Sequence, residues 1–284
     1  MLTDLNRVQV LSEALPFIQK FSGRTIVIKY GGAAMKNDLL KSKFIEDILL
    51  LSYIGIKPIL VHGGGPIINT WLKKVNIKSY FDNGIRVTDK ETMEIVEMVL
   101  VGKINKELVT LLNKKQGSAV GLSGKDGKLI VASKLYNDPN NFVGSVKQVN
   151  IKILELLLKS GYIPIISSVA ADEHGQSYNI NADTVAGALA DAIQAEKLIL
   201  LTDILGIMGN PSKPETLERH LTIDQAKKLI DQQVIVGGMI PKVDCCIKAL
   251  QGNVKSAHII DGRVEHALLL EILTTDGIGS MLTM

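Results

Sequence analysis

Short apolar runs rich in β-branched residues alternate with longer helical patterns along almost the whole chain. The runs lack the polar–apolar alternation of a half-exposed strand, so we expect strands that are buried on both faces. Repeated strand–helix–strand units predict an α/β fold, in which helices cover both faces of a mostly parallel sheet. The predicted strands are 25–28, 57–61, 119–122, 163–167, 198–202 and 256–260, and the predicted helices include 39–54, 91–112, 151–159, 183–194 and 222–232.

Two segments have a different pattern. Residues 80–88 and 128–149 alternate in polarity and lie beside Asn-Gly, Asp-Gly and Asn-Asp-Pro turn signals. Such turns join antiparallel strands. We therefore predict a hairpin in each segment.

The N-terminal segment precedes the first strand. Apolar residues recur there at helical spacing, and we expect Pro16 to kink or break the helix because proline removes a backbone hydrogen bond. The helix either packs on its own subunit or docks as an arm on a neighbouring one. The apolar positions are Leu5, Val8, Leu11, Leu15 and Ile18.

Composition excludes several classes of protein. The chain has 284 residues and a net charge of +3, with Lys and Arg dispersed, which argues against a nucleic-acid partner. No apolar run reaches the roughly 18 residues of a membrane span, and the first residues resemble neither a secretory signal nor a transit peptide. Cys245 and Cys246 are adjacent, which suits neither a disulfide framework nor a zinc site, so we expect buried free thiols in a reducing compartment.

Two glycine-rich loops follow predicted strands, at 29–33 (KYGGA) and 61–66 (VHGGGP). Ligands of open parallel sheets bind at the carboxyl ends of the strands, where glycines let backbone N–H groups approach an anion. Neither loop matches the dinucleotide fingerprint or the P-loop, and either alone could be a tight turn. Together they are candidate anion cradles.

Charged residues lie at similar strand-to-loop positions. Individually, Arg86, Asp183 and Lys242 could be ordinary surface or helix-end residues, but together they suit phosphoryl transfer, which needs alignment and positive charge. A carboxylate nucleophile is already ionised at neutral pH and needs no general base. Accordingly, the histidines form no recognisable triad or metal pair: His62, His174, His220, His258 and His266.

Six ordered motifs across nearly the whole chain resemble the amino-acid kinase family. They are the two glycine loops, 84–89 (GIRVTD), 179–183 (NINAD), 201–203 (LTD) and 237–243 (GGMIPKV). Within the family the chain is similar to the arginine-inhibited members of cyanobacteria and plastids that phosphorylate N-acetyl-L-glutamate. The resemblance implies a three-layer αβα sandwich with a mostly parallel open sheet and two lobes. It divides the chain into an oligomerisation arm at 1–24, an amino-acid lobe at 25–190 and an ATP lobe with a regulatory C-terminus at 191–284.

The resemblance also implies roles for individual residues. Mg²⁺ would arrive with ATP, and no protein ligand to a metal is assigned. The catalytic residues would be Lys29, Lys242, Asp183 and Gly32, the substrate-binding residues Gly64, Gly65, Arg86 and Asn179, the ATP-binding residues Asp203, Gly206 and Met208, and the arginine-regulatory residues His258, Glu271 and Gly277.

The expected assembly is a homohexamer, a trimer of dimers interlaced by the N-terminal arm. Arginine would act as a feedback inhibitor, and the PII signalling protein would be a further partner. The expected location is the plastid stroma if the gene is plastid-encoded, and otherwise the cytoplasm. Two alternatives stay open, namely a sister kinase acting on aspartate, glutamate, carbamate or a nucleotide, and a catalytically dead arginine sensor.

Overall fold

The computed structural model describes residues 4–35, 37–82, 85–210 and 213–284. Within these ranges the strands are β1 (Thr25–Tyr30), β2 (Lys57–His62), β3 (Phe81–Asp82), β4 (Ile85–Arg86), β5 (Ala119–Ser123), β6 (Ile130–Lys134), β7 (Val143–Val149), β8 (Ile163–Ser167), β9 (Val169–Ala171), β10 (Ser177–Ile180), β11 (Lys197–Thr202), β12 (His220–Thr222), β13 (Ser256–Asp261) and β14 (Ser280–Thr283). The α-helices are α1 (Asp4–Phe21), α2 (Asp38–Tyr53), α3 (Gly65–Lys74), α4 (Lys90–Glu97), α5 (Asn105–Lys114), α6 (Lys152–Lys159), α7 (Ala182–Ala192), α8 (Ile223–Asp231), α9 (Ile240–Gln251) and α10 (Ala267–Leu273).

One sheet of eight strands organises the molecule, in the order β12-β14-β13-β11-β1-β2-β8-β5. Neighbouring strands are parallel except β13 and β14, which are antiparallel. The six predicted strands are all present, and the prediction of a mostly parallel sheet is confirmed. Strand β1, which carries Lys29, lies near the middle of the sheet.

Helices cover both faces of this sheet, because alternate residues of the strands point into two separate hydrophobic cores. Val27 of β1 packs in a core with residues of α6, α7, α8 and α9. Its neighbours Ile26 and Ile28 pack in the other core, with residues of α2, α3, α4, α5 and α10. The predicted three-layer αβα sandwich is therefore confirmed.

Beside the main sheet, strands β6, β7, β9 and β10 form a small closed barrel. The predicted hairpin of 128–149 is its antiparallel pair β6–β7. Strands β9 and β10 were not predicted. The predicted hairpin of 80–88 is the antiparallel pair β3–β4, whose turn residues 83 and 84 lie outside the described residues.

Two predicted helices differ from expectation. The helix predicted over 91–112 contains a π-helical segment, Met98–Ile104, between α4 and α5. The prediction that Pro16 could break the first helix is wrong, because α1 runs through it without interruption. Tolerance is understandable in an exposed helix, where water satisfies the carbonyl that loses its partner.

The first turns of α1 lie apart from the two cores. The side chains of Leu5, Val8, Leu11 and Leu15 are exposed, whereas Phe21 at the end of the helix is buried. The helix therefore presents an apolar stripe to its surroundings. Among the described residues, no helix has both the length and the apolar character that a membrane crossing requires.

Candidate active site

The centre of the site is a carboxylate held between two ammonium groups. Lys29 lies near the carboxyl end of β1, with Nζ 2.9 Å from Oδ1 of Asp183. Lys242, in the first turn of α9, places Nζ 2.7 Å from Oδ2. All three side chains are largely buried, so one anion and two cations share a poorly hydrated space. The net charge of this triad is positive, which favours an anionic ligand.

Local structure fixes the position of Asp183. It is the second residue of α7, and the amide oxygen of the N-cap Asn181 accepts the Asp183 N–H at 2.8 Å. Burial acts to raise the pKa of Asp183, but the charges of Lys29 and Lys242 outweigh it and hold that pKa below the usual value. Asp183 is therefore ionised at neutral pH and orients both lysines.

The first glycine loop follows Lys29 directly. A methyl group on Gly31 would lie 3.1 Å from the Lys29 Nζ, so the absence of a side chain gives the ammonium its place. Gly32 has a φ of +72°, which favours glycine, and begins a short 3₁₀ helix, Gly32–Met35. The loop thus turns away from the strand immediately beside the triad.

The second glycine loop leads into α3, with Gly64 as its N-cap. A methyl group on Gly64 would lie 2.8 Å from Cδ2 of Leu100 and would also collide with Cδ1 of Ile104. Both side chains come from the π-helical segment, so that segment leaves room only for glycine. On Gly65, by contrast, a methyl group would meet no atom within 4 Å, so this side of the loop is open.

Arg86 is a buried cation next to the open loop. Its Nη2 donates to the backbone oxygen of Gly65 at 3.2 Å and to Oδ1 of Asn69 at 2.7 Å. Its Nη1 donates to Oγ of Ser79, and the guanidinium lies 4.7 Å above the ring of Phe81. Burial lowers the pKa of Arg86 from its usual value. Gly84 of the same motif lies outside the described residues.

Sequence reasoning missed the two polar side chains that hold Arg86. Asn69 stands one helical turn after Gly65, on the same face of α3, which is a signal that the loop motif could have supplied. Ser79 carries no comparable signal, because it lies in an irregular segment before β3.

Asn179 reaches the same region through a buried threonine. Its Nδ2 donates to Oγ1 of Thr88 at 3.2 Å, and that hydroxyl donates to the backbone oxygen of Arg86 at 2.9 Å. Strand β10 of the barrel thereby meets the hairpin that carries Arg86. The structure thus brings Gly65, Arg86 and Asn179 together on one side of the triad.

A cavity of about 380 Å³ lies on the other side of the triad and includes Lys242 in its lining. The three predicted nucleotide residues Asp203, Gly206 and Met208 also line it. The remaining walls are mostly apolar and were not predicted, although an apolar run just before the GGM motif was a readable signal. They are Ile204, Ile207, Val234, Ile235, Val236, Gly238 and Met239.

Gly206 has a structural reason for lacking a side chain. Its φ is +153°, and a methyl group there would lie 2.6 Å from Oγ of Ser280 on β14. The following N–H, of Ile207, donates to the same hydroxyl at 2.9 Å. This contact fixes the loop that forms one wall of the cavity.

The three predicted regulatory residues form a separate buried cluster. Nδ1 of His258 lies 2.6 Å from Oε1 of Glu271. Oε2 of Glu271 accepts the N–H of Ile278 at 2.8 Å, and a methyl group on Gly277 would lie 2.6 Å from this oxygen. Burial acts to raise the pKa of Glu271, but the bond from His258 and these N–H groups lower it below the usual value.

Lys197 connects this cluster to the N-terminal helix. Its Nζ lies 3.0 Å from Nε2 of His258 and 5.0 Å from the centre of the Phe21 ring at the end of α1. Burial lowers the pKa of Lys197 to about 8 and also lowers the pKa of His258. Lys197 was not singled out from sequence, because it reads as the polar edge of a strand.

His62 plays a structural part beside the second glycine loop. It is fully buried, its Nδ1 lies 3.1 Å from the Gly63 oxygen, and its Nε2 lies 3.2 Å from Nδ2 of Asn105. Burial lowers its pKa to about 4, so the ring is neutral at pH 7 and donates from Nδ1. The expectation that His62 packs beside the loop agrees with this position.

Comparison with known proteins gives a consistent picture. The sequence model described as the amino acid kinase family matches residues 24–261. Acetylglutamate kinase of Gracilaria tenuistipitata var. liui is 67% identical, with 100% of both chains covered. Acetylglutamate kinase of Thermosynechococcus vestitus is 61% identical, over 99% of this chain and 96% of the relative.

Solved structures show the same fold. N-acetylglutamate synthase from Neisseria gonorrhoeae, in complex with coenzyme A and N-acetyl-glutamate, has a TM-score of 0.86 at 24% identity and is matched by 98% of this chain. The match spans 63% of that longer protein. The same synthase with coenzyme A and L-arginine has a TM-score of 0.79 at 23% identity, with 97% of this chain and 65% of that protein covered.

The sandwich and the lysine–aspartate–lysine triad define a class of phosphoryl-transfer enzymes, and the chain belongs to the amino acid kinase family. Within that family it groups with the acetylglutamate kinases, with which it shares 61–67% identity over essentially the full length.

Proposed function

We propose that this site transfers the γ-phosphoryl group of Mg²⁺–ATP to the γ-carboxylate of N-acetyl-L-glutamate. The products are ADP and N-acetyl-L-glutamyl 5-phosphate, a step of arginine biosynthesis. The observation that carries the proposal is the position of Asp183 between Lys29 and Lys242, with the cavity beside Lys242 and the Arg86 pocket on the other side.

The chemistry follows from the charges. The acceptor carboxylate is already an anion, so the residues need only align it with the phosphorus atom and neutralise the charge that develops on the transferring group. Lys29 and Lys242 supply positive charge, and the backbone N–H of Gly32 is a further donor. Asp183 holds the lysines apart and in place, which spares them reorganisation during the reaction.

Substrate recognition belongs to the lobe of residues 25–190. Arg86 would bind the α-carboxylate, because the three groups that accept its hydrogen bonds are all neutral and leave its charge for an anion. The N–H groups of Gly64 and Gly65 lie at the N-terminus of α3, where an anion is favoured. Asn179 would complete the contact from the barrel.

The nucleotide belongs to the lobe of residues 191–284. The apolar walls of the 380 Å³ cavity suit a flat aromatic base, and Lys242 at its inner end suits the phosphates. Asp203, Gly206 and Met208 would border the nucleotide. Mg²⁺ would arrive as part of the nucleotide substrate, without a protein ligand that we assign.

Regulation by arginine is the second part of the proposal. The cluster of His258, Glu271 and Gly277 is buried, charged and connected through Lys197 to α1. The L-arginine complex of the distant Neisseria gonorrhoeae synthase supports an arginine site on this fold. The exposed apolar stripe of the arm 1–24 supports its docking on a neighbouring subunit, in a homohexamer built as a trimer of dimers.

The remaining parts rest on relatives alone. The relatives come from a red alga and a cyanobacterium, which supports the plastid stroma or the cytoplasm as the location and the PII signalling protein as a partner.

The decisive experiment is an assay of ADP release from Mg²⁺–ATP with N-acetyl-L-glutamate, glutamate, aspartate or carbamate as acceptor. We expect turnover with the first. Turnover with only one of the others would identify a sister kinase instead. Binding of arginine without turnover of any acceptor would identify a sensor that has lost catalysis.

A further inference from the structure

The bridge between Asp183 and Lys242 joins two helices, so its length depends on how closely α7 and α9 approach. Asp183 is in the first turn of α7, and Lys242 is in the first turn of α9. One turn further along, Gly187 of α7 faces Cys245 of α9. A methyl group on Gly187 would lie 2.7 Å from Sγ of Cys245, well inside ordinary van der Waals contact.

Cys245 is also bonded to the backbone of the catalytic aspartate. Its Sγ donates to the backbone oxygen of Asp183 at 3.0 Å. Burial and the nearby Asp183 carboxylate raise the pKa of Cys245 to about 12, so the group remains a neutral thiol and a hydrogen-bond donor. Lys242 and Cys245 thus contact the first turn of α7 from the same face of α9.

We infer that Gly187 and Cys245 are a positioning pair that sets the separation of α7 and α9, and through it the geometry of the Lys242–Asp183 bridge. Neither residue belongs to the triad or to the lining of the nucleotide cavity. The pair acts on the transition state through Lys242, and this inference rests on the proposed phosphoryl transfer. A change at the pair should therefore alter kcat more than either KM.

The test is a double-mutant cycle. Gly187→Ala should push the helices apart and lower kcat by about tenfold or more, because displacements below an ångström already impair alignment. The KM values for N-acetyl-L-glutamate and ATP should stay within about twofold, since Arg86 and the nucleotide cavity are unchanged.

The double variant Gly187→Ala/Cys245→Ala should recover most of the lost kcat. Removing Sγ leaves the backbone oxygen of Cys245, at 3.6 Å, as the nearest group to the added methyl. Cys245→Ser keeps a donor for the Asp183 oxygen and should retain most of the wild-type kcat. This non-additive pattern would not arise from a general loss of stability.

Cys246→Ala is the matched control. Cys246 is fully buried beside Cys245, so its truncation removes the same sulfur atom from the core and lowers the melting temperature, but kcat should be unchanged. A wild-type kcat in Gly187→Ala, or a folded double variant that is no more active than Gly187→Ala, would overturn the inference. If Gly187→Ala does not fold, recovery of folding and of kcat in the double variant supports it, and a folded but inactive double variant refutes it.

Crystal structures separate this inference from the proposed function. The distance from Lys242 Nζ to Asp183 Oδ2 should lengthen in Gly187→Ala and return in the double variant. If the wild-type protein turns over no N-acetyl-L-glutamate, the proposed function fails, while this distance still decides whether the pair sets the bridge.

Discussion

Lys197 Nζ lies 3.0 Å from Nε2 of His258, and both groups are buried. Because two adjacent buried groups are unlikely partners when both are protonated, the imidazole remains neutral, accepts through Nε2 and donates through Nδ1 to Glu271. A single line of contacts therefore runs from α1, through Lys197 and His258, to the C-terminal residues around Gly277.

Lys197 should make stability depend on alkaline pH. Its pKa is about 8 in the folded protein, against roughly 10.4 in an unfolded chain. Between these values the unfolded state binds more protons, so this residue makes the free energy of unfolding rise as pH rises from about 8 to 10. Urea unfolding at several pH values should show a smaller rise in Lys197→Met. The exposed Lys147→Met is the control, and equal slopes in both variants would contradict the assignment.

The triad lysines should be needed for turnover. Lys29→Met or Lys242→Met should lower kcat by about 10²–10³, the usual effect of removing one donor from a preorganised charge site. Steady-state kinetics and the melting temperature check the result. Lys115→Met, which removes an exposed ion pair with Glu46, should leave kcat unchanged. Retained turnover in a Lys242 variant would remove that residue from the mechanism.

Arg86 should determine affinity for the acceptor. Arg86→Lys keeps the charge but loses the two-pronged geometry and the contacts to Asn69 and Ser79. The KM for N-acetyl-L-glutamate should rise by about 10- to 100-fold, which corresponds to roughly 1.4–2.7 kcal/mol. The KM for ATP is the internal control and should not change. A parallel rise in both constants would indicate a general disturbance of the fold.

The two adjacent glycines of the second loop should differ in their tolerance of a methyl group. Gly64→Ala forces the side chains of Leu100 and Ile104 to move and should cost about 1–3 kcal/mol of stability. Gly65→Ala meets open space and should change stability by less than about 0.5 kcal/mol. Chemical denaturation measures both values. Equal losses would show that the π-helical segment yields easily.

The N-terminal arm should control assembly. Removing residues 1–21 deletes the exposed stripe and the Phe21 ring beside Lys197, so we expect dimers instead of hexamers and weaker inhibition by arginine. Sedimentation velocity and inhibition curves measure the two effects. Leu11→Ser/Leu15→Ser is a milder variant, since both side chains are exposed in the single chain. An unchanged sedimentation profile would refute the role of the arm.

Much of the fold could be predicted because its central strands are continuous apolar runs. Strand β8 and β11, for example, are fully buried and bounded by clear turn signals. The strands β9 and β10 escaped because they are short and β9 follows β8 after one residue, so the sequence there reads as one run. Periodicity also does not distinguish Met98–Ile104 as π-helical, since only the number of residues per turn changes slightly.

The site was predictable where a residue type has few uses at its position. Lys29, Asp183 and Lys242 stand beside glycine loops or helix starts, and the structure brings them together. Asn69, Ser79 and Thr88 were missed because neutral hydrogen-bonding side chains are common on any surface. Their role appears only when the Arg86 guanidinium is seen between them.

The triad also has a consequence for how the chain acquires activity. Lys29 stands near the start of the chain, Asp183 beyond its middle and Lys242 close to its end, and the central sheet must be assembled before they meet. Contacts between such distant segments form late and slowly in folding. Enzymatic turnover during refolding, or during synthesis on a ribosome, would therefore report the last stage of folding, after the helices and the first strands have already formed.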